Sequence, residues 1–180
     1  MKKIYLILAI MSLTSCMIGS GENSSIEANQ DKFPLLSGIN LDGIKHDLPK
    51  DFDGEFNLVA LGFEREHQEA INTWIGVADE IIKNNPKIKF YEVPLIYELG
   101  SFSRAWVNNG MRLGIQDKIA RKRTVTVYTN RDKFFEIMNM KGDKIYVLLL
   151  DKDGKILCRL EGLANKKNID LLQQALKKIK

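Results

Sequence analysis

The chain has 180 residues, 44% hydrophobic and 28% charged, the balance of a soluble globular protein with one core, and this excludes a chain disordered throughout. Its formal charge is +4, without the clustered basic footprint that nucleic-acid binding needs.

Lys2 and Lys3 precede an apolar run from Ile4 to Leu13. The run is shorter than the ~20 apolar residues of a membrane-spanning helix, so it reads as a secretory signal. Leu13, Thr14, Ser15 and Cys16 follow and resemble the bacterial lipobox. That resemblance implies cleavage after residue 15 and acylation of Cys16, palmitate included. Each buried CH₂ would add about 0.8 kcal/mol of membrane anchoring. Loss of residues 1–15 lowers the cations from 27 to 25 against 23 acidic residues, a balance of +2. The segment 16–32 is small and polar and is expected to be a tether. Met17, rather than an acidic residue, follows Cys16; the usual sorting rule then favours the outer membrane over the inner one. The expected place is the bacterial cell envelope, lipid-anchored and facing the periplasm.

The folded domain is expected over 33–180. Asp42-Gly43 between two short alternating runs signals a hairpin. Phe56 to Phe63 is nearly all apolar, as in a strand buried on both faces. A helix follows from about Glu66 to Asn84, with Ala70, Ile71, Trp74, Ile75, Ala78, Ile81 and Ile82 on one stripe. Ile88 to Ile96 is the next strand. Residues 101–123 read as helical and polar-rich, around Phe102, Trp106, Val107, Met111, Leu113 and Ile119. A strand at 124–129, a short helix or turn from Arg131, and a buried strand from Ile145 to Asp151 come next. Asp153-Gly154 turns the chain into a strand ending at Gly162. The last helix is expected from about Asn168, with Asn168 as its N-cap. A parallel βαβ start and an antiparallel closing hairpin make an α/β domain with a mixed central sheet and helices on both faces.

This order, with LVALGF before a helix and YVLLLDKDGKI before LEGLAN, resembles the thioredoxin-like superfamily, a three-layer sandwich. Tyr128-Thr129, Leu149-Leu150-Asp151 to Ile156, and Gly162-Leu163-Ala164 also resemble the mitochondrial ATP synthase assembly factor family called Atp10. That likeness implies help in assembling a membrane complex, though an outer-membrane protein would sit in the wrong membrane for ATP synthase. The thioredoxin resemblance places Glu66 and Glu69 near the two redox cysteine positions, within about one residue. Carboxylates cannot carry out thiol–disulfide exchange. The proline expected before the third core strand is also absent, Lys144 preceding Ile145 instead.

The polar junction Glu64, Arg65, Glu66, His67, Gln68 and Glu69 is the candidate binding surface. The alternatives are a dipole-matched, solvated first turn and a weak acid/base site. His46 and His67 lack metal-ligand spacing and read as two unrelated surface histidines, so no metal or other cofactor is expected. The basic residues Arg104, Arg112, Lys118, Arg121, Lys122 and Arg123 either contact anionic headgroups or an acidic partner, or form a solvated face. Only Cys16 and Cys158 are cysteines; with Cys16 lipidated, no internal dithiol exists. Cys158 reads as a buried, inert thiol. The expected function is therefore non-redox: a membrane-anchored binding or assembly factor for an envelope protein complex, with no residue assigned to catalysis. The runner-up is a thiol oxidoreductase or peroxidase acting through Cys158 with an external thiol. A purely structural envelope lipoprotein is the third reading.

Overall fold

The computed structural model describes residues 31–179. The expected signal peptide, Cys16 and most of the expected tether lie outside the described residues. Backbone pairing already involves Asp31 and Lys32: Lys32 bridges Lys155, and the Ile156 N–H donates to the Asp31 carbonyl at 2.7 Å.

One sheet of seven strands organises the domain, in the order β2-β1-β5-β4-β3-β6-β7. Inside it β3, Phe56–Gly62, is paired in parallel with β4, Ile88–Tyr97, and antiparallel with β6, Tyr146–Asp151. An apolar sequence without alternation fits this position, because both faces of β3 are covered. Beyond β4 lie β5, Val125–Thr129, in parallel, then β1, Leu36–Asn40, and β2, Lys45–Leu48, both antiparallel. The other edge is β7, Ile156–Glu161, antiparallel to β6. Both expected hairpins form, with Gly43 at φ 87° and Gly154 at φ 80° supplying left-handed turn positions.

The strand alternation splits the core into two layers. Val59, Leu61 and Phe63 share one layer with Val93, Leu95, Leu148, Phe134 and Met138. Phe134 and Met138 belong to α4, Arg131–Met138, which covers that face. Leu58 and Ala60 join Ile71, Trp74, Ala78, Val147 and Leu172 on the other face. There α1, His67–Asn84, and α5, Lys166–Lys178, supply the cover. Trp74 is fully buried, and its indole N–H donates to the Gly162 carbonyl at 2.9 Å. Helix α1 sits close to the sheet: a Cβ on Gly62 would come within 2.9 Å of Ile71 Cδ1.

Two local expectations are sharpened and one, the cap of the last helix, needs correction. The 101–123 span is two helices, α2, Ser101–Gly114, and α3, Lys118–Arg123. Asp117 separates them, accepting from the Ala120 N–H at 2.8 Å as the N-cap of α3. Asn165, not Asn168, caps α5, its side chain accepting from the Asn168 N–H at 3.0 Å. Asn168 lies inside the helix and is buried; its amide donates to the Glu161 and Leu163 carbonyls, each at 2.8 Å. Of the helix or turn expected from Arg131, the structure forms the helix, capped by the Asn130 side chain on the Lys133 N–H at 3.0 Å.

Candidate functional site

The candidate junction lies where β3 hands the chain to α1, at the C-terminal ends of the three parallel strands. In sheets of this kind such ends form the natural crevice. The first residue of α1, His67, folds its ring back over the junction. Its Nδ1 accepts from the Phe63 N–H at 3.1 Å and more weakly from the Glu64 N–H at 3.4 Å. These bonds require an unprotonated Nδ1 and leave the ring proton on Nε2. The ring also meets Phe63 edge-on. His67 thus satisfies backbone donors that the strand-to-helix transition leaves without partners.

Glu64 reaches the other way, 2.8 Å from an Arg131 guanidinium nitrogen. Arg131 stands at the first position of α4, just past the end of β5, and its side chain is only 7% exposed. The guanidinium lies 4.4 Å from the Tyr97 ring centroid, 5.6 Å from Phe135 and 5.8 Å from Phe63. An aromatic setting with one carboxylate suits arginine, whose guanidinium is weakly hydrated and stacks on rings. Tyr97 in turn donates to Asp132 at 3.0 Å.

A second polar cluster begins at Gln68. Its amide donates to Asn72 at 3.0 Å and to Glu92 at 3.3 Å. Glu92 is buried on the α1 side of β4, and Arg123 approaches it at 3.6 Å. Arg123 also pairs with Asp79 at 3.3 Å and lies 5.0 Å from the Phe90 ring centroid. Burial pushes the Glu92 carboxyl above its ordinary range, opposed by the Gln68 hydrogen bond and the Arg123 charge.

The six candidate residues therefore divide. Glu64, His67 and Gln68 are tied into the fold. Arg65, Glu66 and Glu69 are exposed and, among the described residues, form no side-chain hydrogen bond or ion pair. The basic insert also differs from a solvated face. Arg121 pairs with Asp42 at 3.1 Å, Arg123 with Glu92 and Asp79, and Arg104 covers the Tyr128 ring at 4.9 Å. Arg112, Lys118 and Lys122 remain exposed. The histidines are not surface groups either. His67 is half-buried in the junction, and His46, on β2, has both ring nitrogens buried and without a partner among the described residues. No group of three or more His, Cys, Asp or Glu side chains is arranged to hold a metal ion among the described residues.

Cys158 sits on β7, opposite Leu149, and packs in the layer under α1 and α5. It is half-buried, not fully buried, and burial pushes its thiol above the ordinary value, with Lys178 pulling it slightly back. A thiol raised in this way holds little thiolate at neutral pH. The Glu64–Arg131 and Glu92–Arg123 pairs escaped the sequence reading. The one visible signal was an acidic residue, Glu92, in the middle of a largely apolar strand.

Solved structures share this architecture. BsSco, a member of the Sco family of cytochrome c oxidase assembly proteins, superposes with a TM-score of 0.55 at 13% identity, covering 83% of this chain and 95% of its own. The exposed lipoprotein thioredoxin Etrx1 of Streptococcus pneumoniae gives 0.52 at 17% identity, over 81% of this chain and all of its own.

The fold is thioredoxin-like.

A SCO1/SenC family lipoprotein from Bacillus anthracis gives 0.52 at 11% identity, over 83% of this chain and 95% of its own. No protein-family model matches the chain, and no curated protein matches it. Within the thioredoxin-like frame, the strand-to-helix junction carries carboxylates, an imidazole and an amide, and no thiol. The step before β6 is Lys144-Ile145; among the described residues the cis peptide bond is Leu48–Pro49, at the end of β2.

Proposed function

We propose that this chain is a lipid-anchored binding module of a bacterial cell envelope, which helps assemble or maintain an envelope protein complex without thiol chemistry of its own. The observation that carries the reading is the junction itself. Where the thioredoxin resemblance puts redox cysteines, Glu66 and Glu69 stand exposed, beside the His67 ring that binds the backbone and the Glu64–Arg131 pair. Arg65, Glu66 and Glu69 are exposed there without a side-chain partner among the described residues. Thiol exchange needs a thiolate nucleophile, and the described thiol lies on a different strand with its pKa raised. The lipobox-like Leu13 to Cys16 supports the anchor, as does the likeness in fold to two proteins described as lipoproteins. The resemblance to ATP synthase assembly factors supports the assembly role; BsSco, described as an assembly-family protein with a disulfide switch, shares the fold alone.

The test uses the full chain in its native membranes. A photo-cross-linking residue is placed at Glu66, at Glu69, or at Asp153 in the turn at the opposite end of β3 and β6. The reading expects one common adduct at Glu66 and Glu69 that is absent at Asp153. Equal labelling at all three positions, or none, contradicts it.

A further inference from the structure

Helix α2 is mounted with its apolar stripe outward. Phe102, Trp106 and Leu113 follow one another at helical spacing and are 86%, 75% and 81% exposed. The opposite side of the helix, Arg104, Val107, Asn108 and Met111, is the half-buried one. It is held by polar contacts: Tyr128 donates to Asn108 at 2.9 Å and stacks with Arg104. No residue of α2 is fully buried. An amphipathic helix in a soluble domain normally turns its apolar stripe to the core; here a phenyl, an indole and an isobutyl group face water together.

We infer that this face of α2 docks on an anionic lipid surface, with Phe102, Trp106 and Leu113 entering the interface and the neighbouring cations meeting headgroups. The charge around the stripe selects that occupant. Arg112 is exposed beside Leu113, and an open depression there is lined by Asn109, Arg112, Gln116 and Arg121. Lys118 and Lys122 continue the exposed positive charge along α3. Aromatic and aliphatic side chains beside Lys and Arg make up the composition of helices that lie in a membrane interface. Each cation near an anionic surface adds attraction that fades within a Debye length. The placement gives the domain a fixed orientation on the bilayer, and it does not require the N-terminal lipid.

The chain carries its own probe, because it has two tryptophans, Trp106 on this stripe and Trp74 fully buried. The full chain is mixed with vesicles of phosphatidylcholine, or of phosphatidylcholine with phosphatidylglycerol, with and without brominated acyl chains. The inference expects Trp106 emission to shift to the blue and to be quenched by bromine in the anionic vesicles. Raised salt weakens the effect. Phe102→Ser with Leu113→Ser abolishes it, since withdrawing each side chain lowers partitioning by about tenfold. Trp106→Phe leaves only Trp74, unquenched, which also reports that the fold is intact. Vesicle-bound protein with unquenched Trp106 overturns the inference while leaving the anchor reading standing. In Cys16→Ala the quenching of Trp106 by anionic brominated vesicles persists; its loss together with the lipid overturns the inference. A blue shift without vesicles, accompanied by dimers in sedimentation, assigns the face to a second copy and also overturns the inference.

Discussion

Removing the Glu64 carboxylate tests whether the junction is a built clasp. In Glu64→Ala the Arg131 guanidinium, 7% exposed, loses the carboxylate at 2.8 Å and keeps only its ring contacts. Breaking a fully buried pair from one side costs about 3–5 kcal/mol, whereas an exposed pair contributes about 0–1. Glu64 is 55% exposed, so water can take its place at one side of the guanidinium. The expected loss therefore falls between these limits, about 1–2 kcal/mol. For a domain of this size each kcal/mol moves the melting temperature by about 2–4 °C. Arg131→Met keeps most of the volume and the packing against Tyr97, Phe63 and Phe135 while removing the buried charge. It should cost less than Glu64→Ala, and adding Glu64→Ala to it should cost little more. Urea unfolding of the wild type, both single variants and the double variant gives the coupling directly. A Glu64→Ala penalty equally large in the Arg131→Met background would refute the clasp.

Three further outcomes follow from the same structure. The folded-state pKa of Glu92 lies above its unfolded value, so its contribution is full below the ordinary carboxylate pKa and is lost as pH rises through the raised one. Urea midpoints of the wild type should fall across that window, and Glu92→Gln should remove that fall. Cys158, raised by burial, should react with iodoacetamide more slowly than free glutathione at neutral pH and gain rate as the pH increases. Gly110→Ala and Gly154→Ala should move stability in opposite directions. The first adds a methyl to open space on α2 and should gain about 0.5–1 kcal/mol. The second forces a side chain into φ 80°, 2.4 Å from Pro49 Cγ, and should cost about 2 kcal/mol or more in thermal or urea unfolding.

The frame of the fold was open to reading because its signals are local. The unbroken apolar run of β3 announced a central strand, the stripe through Trp74 announced α1, and Asp-Gly at 42–43 and 153–154 announced two turns. The site was less legible because its decisive contacts join residues far apart. Glu64 and Arg131 are separated by 67 positions and meet only because β5 and β4 align beside β3. Nothing local told Glu64, which pairs with Arg131, from Glu66, which has no ion pair among the described residues. At α2 helical spacing was visible, but nothing in the pattern told which face the structure turns outward. At α5 the expected cap Asn168 lies inside the helix and bridges two loop carbonyls, while Asn165 caps it.

The central claim, a thioredoxin-like domain without thiol chemistry, is tested most directly by turnover. The purified full chain is assayed for reduction of a protein disulfide by dithiothreitol and for peroxide consumption, beside Cys158→Ser. The account predicts that both proteins match the uncatalysed rate. Turnover by the wild type that Cys158→Ser abolishes would contradict it and make the thiol on β7 the working group.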